Sequence, residues 1–243
     1  AINIVTRKPT GEFGGRVEAS FGNFGEKGIR ASVDLPRFGI VSAKVAGQFR
    51  KRDGFVDVVD NLVPDVTTPP RGTDELGSLD SRVGAVDVRI EPSETVTLDY
   101  RFDIAVNDQE PYASQLVGVA EGGMFDPSSP AYDTPFIGGA TFPIDRFVEP
   151  RKRQRRLSAD APSREYMRNV GHALTATVDL GQVGELKSIT AYRKLHVEDR
   201  LDLDGTALPL VAGARGSDYR SVSQELQLVG ALDRLTYAVG LFY

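Results

Sequence analysis

The stretch TVTLDYRFDI, residues 95–104, alternates without interruption. Val96, Leu98, Tyr100, Phe102 and Ile104 fall on one side, and Thr97, Asp99, Arg101 and Asp103 on the other. Successive side chains of a β-strand point to opposite faces. The segment is therefore a ribbon with one apolar and one charged face. A helix would repeat its apolar residues at about every three or four positions instead.

The same period extends outward in both directions. Upstream, Val17, Ala19 and Phe21 oppose Glu18 and Ser20, while Ile29, Ala31, Val33 and Leu35 oppose Arg30, Ser32 and Asp34. Val41, Ala43, Val45, Gly47 and Phe49 oppose Ser42, Lys44, Gln48 and Arg50, and Val86, Val88 and Ile90 oppose Asp87 and Arg89. Downstream, Leu174, Ala176, Val178 and Leu180 oppose Thr175, Thr177 and Asp179, and Leu235, Tyr237, Val239, Leu241 and Tyr243 share a face. Residues 185–195 mix their faces, and within 220–229 Gln224 falls on the apolar side. About nine strands follow the opening segment, most of them near ten residues long. Strands of soluble proteins usually run about 5–6 residues, whereas a tilted membrane-spanning strand needs about 9–11.

The connections carry a second pattern. Pro36–Gly39, Pro92–Glu94, Gly181–Gly184 and Gly230–Arg234 have hairpin-turn chemistry. Between them lie long connections near 52–80, 105–167 and 196–218, after a short first one around GNFGEKG (22–28). Long structureless loops are uncommon in a compact soluble domain. Short turns on one rim and long loops on the other are what a transmembrane β-barrel has.

Composition narrows the classes. The 243 residues are 40% apolar and 26% charged with a formal net charge of −5, which argues against both disorder and nucleic-acid binding. There is no Cys, so disulfides and thiolate metal sites are excluded, and no run approaches the length of a membrane-spanning helix. Alternation alone leaves the facing open, because a soluble sandwich shows the same period with its apolar face turned to a core. Two features agree with lipid on the apolar side: that face lacks charge over the middle of each strand, and the opposite face carries both signs, as a wet or plugged lumen would.

Chemistry-bearing residues are sparse. His172 and His196 have no partner at catalytic or metal-ligand spacing, and no nucleophile elbow or phosphate loop occurs. No catalytic residue, resident metal or cofactor is expected, and the chain reads as a non-enzyme. EDRLDLDGT (198–206) offers Asp202, Asp204 and Gly205 but lacks the third acid and closing Glu of a calcium loop. The densest charge run is EPRKRQRR (149–156) in the longest connection. Its Arg151, Lys152, Arg153, Arg155 and Arg156 are the candidate ligand-binding residues, as an anion-attracting patch near lipopolysaccharide phosphates or an acidic ligand. Tyr112, Phe125, Tyr132, Phe136, Phe142 and Phe147 in the same connection could grip a ligand or pack the loop on itself.

Several segments, in order, resemble the TonB-dependent outer-membrane receptors. AINIVTRKP (1–9) resembles the last strand of their plug domain, and GEFGGRVEASFGNFGEKGIRASVDLP (11–36) the first barrel hairpin after it. RDGF (52–55), SITAYRKL (188–195), SQELQL (223–228) and VGLFY (239–243) resemble later pieces of the same barrel. The resemblance implies an all-β fold: an antiparallel transmembrane β-barrel segment, about nine strands of a barrel of about 22 strands with a plugged lumen. It places the end of the plug and its hinge at residues 1–13 and the first part of the barrel at 14–243, with the reading frame expected to continue beyond both ends. It further implies location in the bacterial outer membrane and active uptake of a scarce nutrient, most commonly an iron–siderophore complex. The implied partners are outer-membrane lipid and lipopolysaccharide, a TonB-type energising protein acting through the plug, and the ligand, with no nucleic acid. A small passive outer-membrane barrel, for which the aromatic, alternating end at Leu235–Tyr243 would serve, and a soluble β-sheet binding module remain the alternatives.

Overall fold

The computed structural model describes residues 6–132 and 142–243. Its twelve strands are β1 (Gly14–Phe21), β2 (Lys27–Asp34), β3 (Val41–Arg52), β4 (Val56–Val59), β5 (Glu75–Leu76), β6 (Leu79–Ser93), β7 (Val96–Gln109), β8 (Arg156–Ser158), β9 (Arg164–Asp179), β10 (Glu185–Asp202), β11 (Ala212–Leu232) and β12 (Leu235–Phe242). Nine of them make one open antiparallel sheet in the order β1-β2-β3-β6-β7-β9-β10-β11-β12. Every neighbour in this sheet is the next long strand in sequence, so the sheet is a meander. β5, β4 and β8 form a separate small sheet, with β4 and β8 parallel.

Register converts the sequence alternation into two faces. Val45 lies opposite Val86, Val86 opposite Phe102, Phe102 opposite His172, His172 opposite Tyr192, and Tyr192 opposite Val222. Residues directly across a ladder share a face, so this row runs apolar and aromatic through six strands. A slip of one residue would put charges in it. One position along, Lys44, Asp87 and Arg101 form a row on the other face. There Arg101 Nη1 donates to Asp87 Oδ1 at 2.7 Å, Arg89 grips Asp99 through two bonds of 2.8 and 2.9 Å, and Arg193 reaches Asp103 at 3.4 Å.

The chain preceding β1 crosses this charged face. Lys8 pairs with Asp99 at 3.2 Å, Arg7 with Asp34 at 2.9 Å, and Arg101 Nη1 donates to Thr6 Oγ1 at 3.2 Å. Asp34 and Asp87 are buried as a result. Of AINIVTRKP (1–9), which resembles a plug strand, residues 1–5 lie outside the described residues. Among the described residues the apolar face has no such cover: Val17 is 70% exposed, Val222 63% and Leu241 74%.

The buried apolar core sits elsewhere. Among the described residues, every fully buried apolar side chain except Pro9 belongs to the connections and the small sheet on one rim. Val56, Val58, Leu76, Leu157 and Ala159 pack around the small sheet, with Phe55 against them. Ile144 and Phe147, on a single 3-10 turn, pack with Ala207 and Leu208 and are flanked by Phe125 and Phe142. The long connections are thus a packed layer, and most of their aromatics pack the loops together. Phe136 lies outside the described residues.

Two expectations change. The third long connection, expected at 196–218, spans only 203–211, and His196 sits inside β10 instead of opening a loop. β9, β10 and β11 run several residues past the end of their alternation. Beyond Tyr192 and Val222 the formerly apolar side carries Lys194, His196, Glu198, Arg220 and Asp218. On β10 the pattern inverts, with Leu195, Val197 and Leu201 now on the formerly charged side, and on β11 both faces turn polar, so neither strand continues the alternation of the lower sheet although the backbone ladder does.

Candidate functional site

The rim layer holds a cleft assembled from three separate connections. Phe24 lies in the tight β1–β2 turn, where it adopts a left-handed φ of 59°. Arg52 ends β3 on the charged face, and Phe55 begins the next connection. Tyr112 opens the β7–β9 connection, and Arg153, Gln154 and Arg155 come from its far end. Together they line a cleft of about 500 Å³ without a carboxylate.

Phe55 is the hub. Its ring centroid lies 6.1 Å from those of both Phe24 and Tyr112. The Arg153 guanidinium carbon stands 4.5 Å and that of Arg52 5.4 Å from the same centroid. Such cation–π pairs hold guanidinium planes in place while leaving their N–H groups free to bind. Arg52 Nη2 donates to Gly77 O at 2.8 Å, while its Nε is buried without a partner. Gln115 fixes the strand of chain that presents Arg153, donating to Pro150 O at 2.9 Å and Lys152 O at 3.2 Å and accepting from Gln154 N at 3.3 Å.

The basic run of the sequence is therefore split. Arg153 and Arg155 line the cleft. Arg151 and Lys152 are exposed away from it, and Arg156 sits on β8 opposite Asp57. Sequence reading missed Arg52, Phe24 and Phe55 as parts of this site, because they belong to distant segments and only the fold gathers them.

A second constellation is acidic. Carboxylate oxygens of Asp160, Asp202 and Asp204 lie within 4.8 Å of one another, so the third acid absent from the local motif arrives from the β7–β9 connection. Asp202 Oδ1 accepts from Gly205 N at 3.0 Å, and Asp204 Oδ2 from Val211 N at 2.9 Å. Burial pushes the Asp202 carboxyl up to about 6 against the opposing Gly205 N–H, and the charges of Asp204 and Asp160 add to the rise. Burial, then the Asp204 charge, raise Asp160 as well. Three oxygens of this kind are hard ligands of the type divalent cations take.

His172 is part of an aromatic band. Its Nδ1 is 2.8 Å from Tyr100 Oη, and its ring lies 5.1 Å from Phe102 and 6.2 Å from Tyr192. His196 lies between Asp218 at 3.1 Å and Glu198 at 3.3 Å.

No protein-family model matches the chain, and no curated protein matches it. Solved structures do. The ferric yersiniabactin uptake receptor of Yersinia pestis superimposes on 99% of this chain with a TM-score of 0.67 at 15% identity. The ferripyoverdine receptor of the outer membrane of Pseudomonas aeruginosa, bound to ferripyoverdine, superimposes on 97% with a TM-score of 0.64 at 14% identity. The FpvAI–pyocin S2 complex matches 97% with a TM-score of 0.58. This chain spans about a third of those chains, 32% of the first and 28% of the others. The shared feature is the fold: the open nine-stranded antiparallel sheet matches a segment of the β-barrel in these receptor structures.

Proposed function

We propose that this chain forms part of the wall and outer rim of an outer-membrane receptor that takes up a scarce nutrient, with an anionic ferric chelate of the siderophore class as its ligand. The observation that carries the ligand class is the rim cleft, in which Arg52, Arg153 and Arg155 stand among Phe24, Phe55 and Tyr112 with no carboxylate. Guanidinium groups recognise oxyanions through paired N–H donors, and aromatic faces take up flat or conjugated ligand parts. The likeness in fold to a ferric yersiniabactin uptake receptor and to a ferripyoverdine receptor supports the same class.

Location in the outer membrane rests on the inverted burial. A sheet that leaves its apolar face open while its loops hold the packed core has the surface a lipid-facing wall needs. Residues 1–13 then form the end of a plug and 14–243 the first part of the barrel, with a TonB-type protein driving transport through the plug.

The test uses purified protein in detergent micelles, titrated with a panel of ferric and iron-free siderophores. Anionic ferric chelates should bind, and Arg153→Gln with Phe55→Ala should weaken binding at least tenfold. Failure of every member of the panel to bind folded, membrane-extracted protein would reject the ligand class. Recovery of the native protein from a soluble fraction would reject the membrane location itself.

A further inference from the structure

On the apolar face, the outward positions of β9, β10 and β11 carry no acidic or basic side chain other than His172 up to Val170, Tyr192 and Val222, the polar ones being Ser188, Thr190 and Gln224. The next outward position on each of these three adjacent strands is a cation: Arg168, Lys194 and Arg220. Lys194 and Arg220 are direct partners across the β10–β11 ladder. Arg168 opposes His196, one outward step above Lys194. Like charges placed directly opposite each other destabilise a sheet. Among the described residues, none of the three makes an ion pair or a side-chain hydrogen bond.

The neighbouring charges are already committed. Asp218 and Glu198, which share this surface, both flank His196. On β7 the corresponding first charge is Asp108, bonded to Arg164 at 2.7 Å, and on β6 it is Arg82, bonded to Asp80 at 2.9 and 3.0 Å. Arg200 lies farther up β10. The charged face shows the contrast as well, since Arg89, Arg101 and Arg193 there all hold carboxylates.

We propose that Arg168, Lys194 and Arg220 form a docking site for the phosphate groups of an outer-leaflet glycolipid headgroup, the phosphorylated glucosamine end of lipopolysaccharide. This rests on the membrane location proposed above. Aromatic residues mark the interface at which headgroups begin. Here Phe102, His172 and Tyr192 form that band, and the three cations stand one or two outward steps above it. A phosphate seated between Lys194 and Arg220 removes their repulsion and meets the fork of a guanidinium at hydrogen-bonding geometry. The site is distinct from the rim cleft and from the 149–156 run, which sit in the connections above the sheet.

The experiment uses the full chain in mild detergent and reads lipopolysaccharide retention by native mass spectrometry. Its arms are intact and enzymatically dephosphorylated lipopolysaccharide. Wild type should retain the intact lipid at least tenfold better than the dephosphorylated one, and molar salt should abolish the difference. The triple variant R168Q/K194Q/R220Q should lose that preference, whereas R168K/R220K should keep most of it. R151Q/K152Q/R156Q should bind as wild type does. Equal retention of both lipids by wild type, or an unchanged preference in the triple glutamine variant, overturns the proposal. Loss of the preference in the loop variant instead would move the phosphate contact to the connections and overturn it too. If the glutamine variant does not fold, the salt and dephosphorylation arms on wild type decide. Membrane-fraction recovery of wild type is scored separately, so failure of this site and failure of the membrane reading give different results.

Discussion

Leu174 and Thr175 are adjacent in sequence and face opposite ways. Leu174 sits midway along the apolar outward stretch of β9, opposite Tyr100, while Thr175 lies opposite Asp99 on the charged face. Leu174→Arg, one outward step below the aromatic band, should destabilise the folded protein by about 1–2 kcal/mol, between the penalties for a cation at the interface and at the bilayer midplane. Thr175→Arg enters an open polar cleft lined by Asp99, Glu185 and Glu225 together with Lys8, Arg89 and Lys187, where the cation stays hydrated, and should cost less than about 1 kcal/mol. Urea unfolding in lipid vesicles measures both, and equal penalties would undo the assignment of faces. Asp99 is a poorer inward probe than alternation alone implies, because Arg89 and Lys8 both depend on it. On the rim, Asp202 gives a pH-dependent expectation. Its carboxyl is raised from its ordinary value near 4 to about 6, so between those pH values the folded loop holds a proton that the unfolded chain releases. The stability it contributes is present below about pH 4 and is lost as pH rises through about 6. Hydrogen-exchange protection of residues 203–211, corrected for intrinsic rates, should therefore fall from pH 5 to pH 7. Asp202→Asn should flatten most of that slope, and a slope that survives the substitution would point to another group.

At the scale of elements, the strands of the sheet were legible where one face meets a uniform environment. β7 was fixed by its unbroken alternation, and β1, β2, β3, β6, β9 and β12 follow the same logic. The upper halves of β10 and β11 were not legible, because on β10 the contrast inverts, with Lys194, His196 and Glu198 on the side that is apolar lower down and Leu195 and Val197 on the other, while on β11 both faces turn polar. The small sheet was also hidden: β4, β5 and β8 are only four, two and three residues long, and their pairing is nonlocal. For the same reason the basic run could be named from sequence, yet only Arg153 and Arg155 reach the cleft. Turns, in contrast, were marked by glycine. Gly184 has a φ of +117°, and a Cβ there would overlap the Val229 carbonyl oxygen on β11. Gly184→Ala should thus cost more than about 1 kcal/mol through strain and a disturbed β10–β11 ladder, read as a lower unfolding midpoint. The rim layer predicts the opposite distribution of damage. Phe147→Ala opens a cavity beside Ile144 and Leu208 and should remove about 3–5 kcal/mol from that layer. Proteolysis of the connections should accelerate sharply while the sheet keeps its unfolding midpoint. A midpoint that falls with it would mean that rim and wall unfold as one unit.

Across the whole molecule, the charged face is tied to the chain that precedes β1. Asp34 is the firmest anchor: its side chain is 4% exposed, and it accepts from Arg7 Nη2 at 2.9 Å and Thr10 N at 3.2 Å. Lys8 on Asp99 and Thr6 beneath Arg101 continue the line. These contacts are polar and reversible, unlike the apolar packing of the rim. An ion pair of this kind, with Arg7 largely exposed, is worth about 1 kcal/mol, enough to hold a segment closed most of the time while allowing it to detach. If residues 1–13 belong to a body separate from the wall, cutting this anchor should release the segment without harming the barrel. Asp34→Asn keeps the shape and the acceptor for Thr10 N but removes the charge that holds Arg7. Trypsin cleavage after Arg7 should then speed up by about fivefold, the factor that about 1 kcal/mol of lost closure produces. Raising ionic strength should speed cleavage of the wild type in the same direction, since the anchor is electrostatic. The unfolding midpoint of the sheet should not move, because the β1–β2 and β2–β3 ladders are untouched. A cleavage rate unaffected by both salt and substitution would show that the segment is held by something other than this face. A midpoint that drops together with the faster cleavage would show that residues 6–13 are structurally part of the wall.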